Sequence, residues 1–281
     1  MPIFDTPAPV DVTIDVFSGD VRVTATDRTD TTVEVLPADA REAKDVEAAE
    51  QTRVEFADGK LLVKTPKPRG LSYVRAKWSV EVHVEVPTGS TLRGDTGMGD
   101  FRVTGELGEC RLKSGSGHIE VDQAGPVHLR TSGGHVTVEA VTGTADVSTA
   151  SGTVRIGRVD GEAVVKNSNG PTTIGRVGGD LRVRSSNGDI TVAAAAGGVD
   201  AKSANGTIRV DEVVRGSIVL KTSTGDLEVG VAEGTAAWLD VNTSQGRVRN
   251  SLDESRERPD RGDTVEVRAA TSFGDVTIRR S

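Results

Sequence analysis

Basic side chains recur four residues before a periodic glycine in this chain of 281 residues. Six of the seven positions in this column are basic, namely Lys113, Arg130, Lys166, Arg184, Lys202 and Lys221. If these residues share one strand face, they form a flat positive surface that would bind an anionic polymer or an acidic protein partner. The alternative is a solvated face, on which the Lys and Arg stems only cover the sheet.

A second column, two residues earlier, is mixed in charge. Its members are Arg111, His128, Asp146, Val164, Arg182 and Asp200. Like charges on neighbouring strands repel, so the combined face is predicted to be net positive and electrostatically unfavourable. The whole chain is acidic, with 34 basic and 42 acidic residues and a formal net charge of -8. This balance argues against a dedicated nucleic-acid binder.

Three residues that follow periodic glycines are of metal-binding type. Asp100, His118 and His135 stand one residue after successive glycines, and two imidazoles with a carboxylate would suit Zn²⁺. Turn positions also carry His and Asp by chance. We therefore expect neither a metal nor another cofactor.

Signs of catalysis are sparse. Asp95, Thr96 and Gly97 match the aspartic-protease tripeptide, but that chemistry needs two such carboxylates facing each other, and no second Asp-Thr-Gly or Asp-Ser-Gly occurs. The single cysteine, Cys110, falls in an apolar column and is predicted to be a core residue. Some larger β-helices are carbohydrate-active enzymes that build clefts from long loops, and here only the charged loop 252–263 is long. We predict that the chain is not an enzyme.

An internal repeat must position all of these residues. Its key glycines are mostly 18 residues apart, at Gly99, Gly117, Gly134, Gly152, Gly170, Gly188, Gly206, Gly225, Gly246 and Gly274. Apolar residues two apart flank each glycine, which indicates two short half-buried strands per repeat. Stacking successive repeats in parallel would align identical residue types in columns. The sequence therefore predicts an all-β solenoid with two-strand rungs of about 18 residues, and we expect right-handed coiling.

Polar columns at the corners support the same stacking. Ser, Thr or Asn stands three residues before each key glycine, and we expect these side chains to bond to one another or to the turn backbone. Asn169, Asn187 and Asn205 precede three successive glycines and are predicted to stack. A core only two strands thick has room for Val but little for rings, which fits the aromatic content of 3%.

The ends differ from the repeats. Residues 1–90 are predicted to form a β-rich N-terminal cap with one short helix, which begins near Pro37 and turns Val46 and Ala49 inward. Residues 91–281 are predicted to form the solenoid, with the loop 252–263 and a final rung at 265–280. Arg279 and Arg280 would protect the last edge, and Met98 and Phe273 would cover the core at the two ends.

The repeated Ser/Thr-x-x-Gly-Asp-Val/Ile/Leu-x-Val motif resembles that of a bacterial family called putative adhesins, or β-strand-repeat domains of unknown function. The motif occurs at residues 18–23, 96–103, 185–192, 222–229 and 271–278, and a strand ending in Val-Pro-Thr-Gly at 86–89 precedes the repeats. The resemblance implies a β-solenoid without established catalytic residues. The family name also implies surface exposure.

Two functions fit this architecture. The first is a non-enzymatic, adhesin-like binding scaffold that presents the basic face to an unknown acidic protein or anionic polymer. The alternative is a self-associating structural solenoid resembling bactofilins. The chain has no apolar run of about 18 residues that would cross a membrane, and its first residues lack the pattern of a signal peptide. We therefore expect a cytoplasmic protein without a membrane span.

Overall fold

The computed structural model describes residues 2–66, 78–252 and 263–281. The chain forms two compact units, Met1–Ala140 (unit 1) and Val141–Ser281 (unit 2). The predicted division at residue 90 stays a prediction. Most of the predicted charged loop, residues 253–262, lies outside the described residues.

Unit 1 combines parallel rungs with antiparallel strands near its N-terminus. Its elements are β1 (Ile3–Asp5), β2 (Asp11–Thr26), β3 (Asp30–Pro37), α1 (Ala43–Glu50), β4 (Arg53–Ala57), β5 (Lys60–Lys64), β6 (Val80–Pro87), β7 (Thr91–Met98), β8 (Phe101–Leu107), β9 (Cys110–Ser116), β10 (Ile119–Ala124), β11 (Val127–Gly133) and β12 (Val136–Val141), the last of which ends one residue beyond the boundary.

Unit 2 is built of parallel rungs. Its strands are β13 (Ala145–Ser151), β14 (Val154–Val159), β15 (Ala163–Asn169), β16 (Thr172–Val177), β17 (Leu181–Asn187), β18 (Ile190–Ala195), β19 (Val199–Lys202), β20 (Ile208–Val213), β21 (Gly216–Thr224), β22 (Leu227–Val231), β23 (Ala236–Gln245), β24 (Val248–Asn250), β25 (Thr264–Phe273) and β26 (Val276–Arg280).

The predicted solenoid is confirmed by the strand register. In unit 2, β15 pairs in parallel with β17 and β17 with β19, so that each residue stacks on its equivalent one repeat later. β16 and β18 pair in the same way in the second ladder. The inward columns are buried, as Val165, Val183 and Ala201 show. Burial of these branched and small side chains between two ladders holds the coil together.

Corner side chains bind the turns, as their columns predict, except that the buried hydroxyls of Ser185 and Ser203 have no hydrogen-bond partner among the described residues. Thr131 Oγ1 donates to the carbonyl of Gly117, at 3.0 Å, in the turn of the preceding rung. Asn187 and Asn205 each donate to the side-chain oxygen of the preceding Asn at 2.9 Å. Gly117 itself adopts φ 155°, and a Cβ there would lie 2.0 Å from the Gly99 carbonyl oxygen. The stacked turns therefore require glycine because adjacent backbones touch.

The prediction for the end of the solenoid was wrong in one respect. β25 pairs with both β21 and β23, and β26 pairs with both β22 and β24. The rung at 264–280 therefore lies between two earlier rungs, and β23 and β24 form the outer rung. Register is preserved because Ile218, Val267 and Leu239 stack in one inward column.

The terminal residues do not have their predicted roles. Arg279 Nη2 binds Asp211 Oδ1 at 3.1 Å, and Arg280 Nη1 donates to the carbonyls of Ala232 and Thr235. Arg279 thus fastens the inserted rung to β20, and Arg280 fastens it to the loop between β22 and β23, so neither protects an outer edge. Met98 and Phe273 are 50% and 52% exposed, so they do not cover the core.

The helix also differs from its prediction. α1 begins at Ala43, six residues after Pro37, and buries Asp45 and Ala48 in place of Val46 and Ala49. The carboxylate of Asp45 accepts from the backbone N–H of Asp39 and of Ser79. These two bonds satisfy the buried carboxylate. The bond from Asp39 also holds the segment before Ala43 in a turn, so the helix does not begin earlier.

Candidate functional site

Two rows of side chains lie on the outer face of β7, β9 and β11 in unit 1. The parallel register aligns Arg93 with Arg111 and Arg111 with His128. It also aligns Asp95 with Lys113, and Lys113 with Arg130. Because alternate residues of a strand point to the same face, both rows project away from the core.

A groove of about 520 Å³ lies on this face. Both rows line it, together with Thr13 and Asp15 from β2. The residues between the rows, Ile14, Gly94 and Leu112, also contribute to its lining. We call this feature the unit 1 groove. Four of its side chains are Lys or Arg and two are Asp, so it carries an excess of positive charge on an acidic protein.

Gly94 interrupts the inward apolar column beneath the groove. A Cβ at this position would lie 2.5 Å from Cε1 of Phe101 and 2.8 Å from Cδ2 of Leu112. The Phe101 ring is 1% exposed and fills the space that other rungs give to an inward side chain. This fully buried ring therefore sits directly under the groove, and a glycine accommodates it.

The cations of the groove are only partly neutralised. Arg111 forms an ion pair with Glu109, and Lys113 Nζ lies 3.6 Å from Asp95 Oδ2. Within the described part of the chain, Arg93 has no ion-pair partner. The hydrogen bond from Arg111, with the charges of Arg111, Arg93 and His128, holds the pKa of Glu109 below its ordinary value. These contacts leave cationic groups available to a ligand.

The other predicted basic residues lie in unit 2 and occupy adjacent outward positions. Lys166 aligns with Arg184, Arg184 with Lys202, and Lys202 with Lys221. Asp200 lies in the neighbouring row, and its side chain reaches across to this column. Its carboxylate lies 2.5 Å from Arg184 Nη2 and 3.6 Å from Lys202 Nζ.

The guanidinium group of Arg184 also binds backbone carbonyls of its own strand and of the next one. Its Nη1 donates to the carbonyl oxygen of Asp200 at 2.8 Å and to that of Val183 at 2.9 Å. Partial burial disfavours ionisation of Asp200, yet the hydrogen bond and charge of Arg184 and the charge of Lys202 hold its pKa below the ordinary value. The expected repulsion in this column is thus relieved by one carboxylate. Lys166 and Lys221 form no ion pair with other described residues.

Asp100, His118 and His135 form a corner ladder. The N–H of His118 donates to Asp100 Oδ1 at 2.7 Å, and the N–H of His135 donates to His118 Nδ1 at 2.9 Å. The two imidazole rings stack with centroids 4.8 Å apart. The side chains of Asp100 and His118 thus each cap the turn of the next rung. Among the described residues, no group of three or more His, Cys, Asp or Glu side chains is arranged to hold a metal ion.

Cys110, Asp95 and Thr96 are the remaining residues whose chemistry the sequence singled out. Cys110 is fully buried, and burial raises the pKa of its thiol to about 12. Asp95 is paired with Lys113, and Thr96 Oγ1 donates to the Met98 carbonyl. No helix in the described part of the chain is long and apolar enough to cross a membrane.

Sequence reasoning identified Lys113, Arg130 and the second column but missed the groove itself. Arg93 and Gly94 fall in the first rung, where Gly94 breaks the apolar column and hides the alignment. A glycine in an inward column followed seven residues later by Phe101 was the signal that could have revealed it.

Stacked two-strand rungs of this kind define the class of β-solenoids. Within that class, the chain belongs to the Toastrack DUF4097 family, whose model matches residues 10–279. No curated protein matches the chain.

Three solved structures illustrate what this chain is similar to. A "putative adhesin" from Bacteroides fragilis has 12% identity and a TM-score of 0.37, with 99% of this chain and 95% of that one covered. A "putative cell adhesion protein" from Clostridium sporogenes has 10% identity and a TM-score of 0.28, with 100% and 98% covered. A "putative lipid binding protein" from Parabacteroides distasonis has 11% identity and a TM-score of 0.34, with 100% and 95% covered.

Proposed function

We propose that this protein is a non-enzymatic, adhesin-like binding scaffold that holds an anionic polymer or an acidic protein surface in the unit 1 groove. The observation that carries the proposal is the groove of about 520 Å³ itself. Its lining includes four cationic side chains, those of Arg93, Arg111, Lys113 and Arg130. Parallel strands are about 4.8 Å apart. A ligand with regularly spaced negative groups would therefore meet at least one cation on each of β7, β9 and β11.

The chemistry of the groove favours binding over catalysis. Arginine and lysine hold anions through charge and hydrogen bonds without reacting with them. The buried thiol of Cys110 is not available as a nucleophile, because its pKa of about 12 keeps it protonated. Asp95, which lines the groove, is engaged by Lys113. The function we propose is therefore binding of an anionic ligand without chemical conversion of that ligand.

Heparin, a sulfated polymer, is a suitable probe for this proposal. The wild type should bind it, with affinity falling as salt is raised, since the contacts are ionic. The double substitution Arg93→Glu with Lys113→Glu should weaken binding by about tenfold or more, because it removes two cationic groups and adds two carboxylates to the groove.

A matched control separates the groove from overall charge. Lys166→Glu with Lys221→Glu makes the same change of charge in unit 2, at residues that form no ion pair with other described residues. Binding should be nearly unchanged in this variant. Equal losses in both variants would assign recognition to charge alone, and the absence of salt-dependent binding by the wild type would overturn the proposal.

A further inference from the structure

The outer strand of unit 2, β23, has an open edge. Within the described residues it pairs with β25 on one side only. None of its ten residues is buried, whereas Val265 and Val267 of β25 are fully buried. Trp238 on β23 is 58% exposed. An exposed edge with an aromatic side chain is a template for pairing with another strand.

Backbone groups point outwards from this edge at alternate residues. The N–H of Ala236 donates to the carbonyl of Asp263 at 3.0 Å, on the side of β25. Because hydrogen-bonding direction alternates along a strand, Leu239, Val241 and Thr243 direct their N–H and C=O groups to the open side. These are the groups that an added strand would bind.

The edge lacks the features that usually block such pairing. Exposed edge strands are commonly short, or carry Lys, Pro or paired charges. In unit 1, β1 has three residues, and β4 carries the ion pair Arg53–Glu55. β23 has ten residues without Lys, Arg, Pro or Gly, and its only charge is Asp240. This contrast favours a role for the β23 edge in pairing with another strand.

We propose that β23 pairs antiparallel with β23 of a second copy of this chain, forming a dimer with two-fold symmetry. An isologous contact of this kind closes on itself. It therefore gives a dimer, unlike the end-to-end filaments of a bactofilin-like solenoid. This inference is independent of the unit 1 groove.

Charge selects the register of this pairing. A two-fold axis at Asp240 would place the two Asp240 carboxylates directly opposite each other, which is unfavourable. An axis at Val241 keeps the outward backbone groups of Leu239, Val241 and Thr243 in hydrogen-bonded positions. It also places Asp240 opposite the partner's Asn242. The single charge of the strand then meets a neutral hydrogen-bonding side chain at both symmetric positions.

The test is sedimentation of the full chain from low micromolar to near-millimolar concentration, with two substitutions at one exposed position. Asn242→Asp places like charges opposite Asp240 twice in the dimer and should weaken dimerisation by about fivefold or more. Asn242→Lys should strengthen it by a similar factor, because it creates two cross-strand ion pairs.

Each outcome decides the proposal. A concentration-dependent dimer with opposite shifts in the two variants supports this register. A monomer at every concentration overturns the proposal. A dimer that responds equally to both variants, or a series of larger species, also overturns it. Circular dichroism confirms that both variants keep the strand content of the wild type.

Discussion

Gly94 and Phe101 form a pair of matched sizes in the core of unit 1. The ring of Phe101 lies where a side chain at position 94 would be, with Cε1 at 2.5 Å from the position of a Cβ. The Phe101 ring therefore occupies the space that a side chain at position 94 would need. Both residues lie directly beneath the unit 1 groove.

Gly94→Ala should lower the free energy of unfolding by about 1–3 kcal/mol, because the added methyl group overpacks the core. Urea unfolding measures this. Gly133→Ala is the control, since nothing lies within 4 Å of a Cβ at that position. Adding Phe101→Leu to Gly94→Ala should recover part of the loss by shortening the clashing side chain. Equal stability of Gly94→Ala and the wild type would contradict the size match.

Asp200→Asn should destabilise unit 2 by about 1 kcal/mol at neutral pH, because Arg184 and Lys202 lose their shared carboxylate. The effect should depend on pH. The pKa of Asp200 is lower in the folded protein than in the unfolded chain, so its stabilisation is present above the unfolded value of about 4. It is lost as the pH falls through the folded value.

Urea unfolding at neutral pH and at about pH 2 measures this dependence, and the difference between variant and wild type should nearly vanish in acid. Lys166→Gln is the control, because it removes a charge from the same face without touching the carboxylate. A difference that persists unchanged in acid would show that the Asp200 charge is not the cause.

Cys110 should not react with a thiol reagent such as Ellman's reagent in the native protein. Its side chain is fully buried, and its pKa of about 12 leaves almost no thiolate at neutral pH. In denaturant one thiol per chain should react at once. Rapid reaction without denaturant would show that the rung containing Cys110 opens readily, contrary to its packing.

His118→Ala should cost about 0.5–1 kcal/mol, because the N–H of His135 loses the Nδ1 acceptor. His118→Asn should cost less, since a carboxamide oxygen can accept the same bond, as Asp100 does one rung earlier. Thermal unfolding ranks the three proteins. Equal stability of the Ala and Asn variants would remove the ladder as a source of stability.

Most of the fold was predictable because one physical pattern repeats. Each rung carries its own turn glycine and its own inward pairs, so local sequence determines where strands such as β15 and β17 begin and end. Parallel stacking then follows from the need to bury those pairs. The stacking order was not predictable in the same way. Val267 fits against both Ile218 and Leu239, so the column pattern is the same for either order.

The unit 1 groove and the ion pairs of Asp200 with Arg184 and Lys202 were harder to predict. Each depends on a residue that departs from the pattern of its column. Gly94 breaks the column that would have shown Arg93 in line with Arg111. Asp200 was visible as an acidic residue, but its role depends on side chains reaching across to Arg184 and Lys202. Column position gives the face of a residue, whereas neutralisation depends on rotamers that the sequence does not specify.

The insertion of β25 and β26 between two earlier rungs separates the order of synthesis from the order of assembly. β23 and β24 leave the ribosome before the strands on which they stack. In the folded protein their ladder partners are β25 and β26, which are made after them. A nascent chain that ends before Thr264 would therefore lack two finished rungs instead of one, and synthesis of β25 and β26 joins both in a single step.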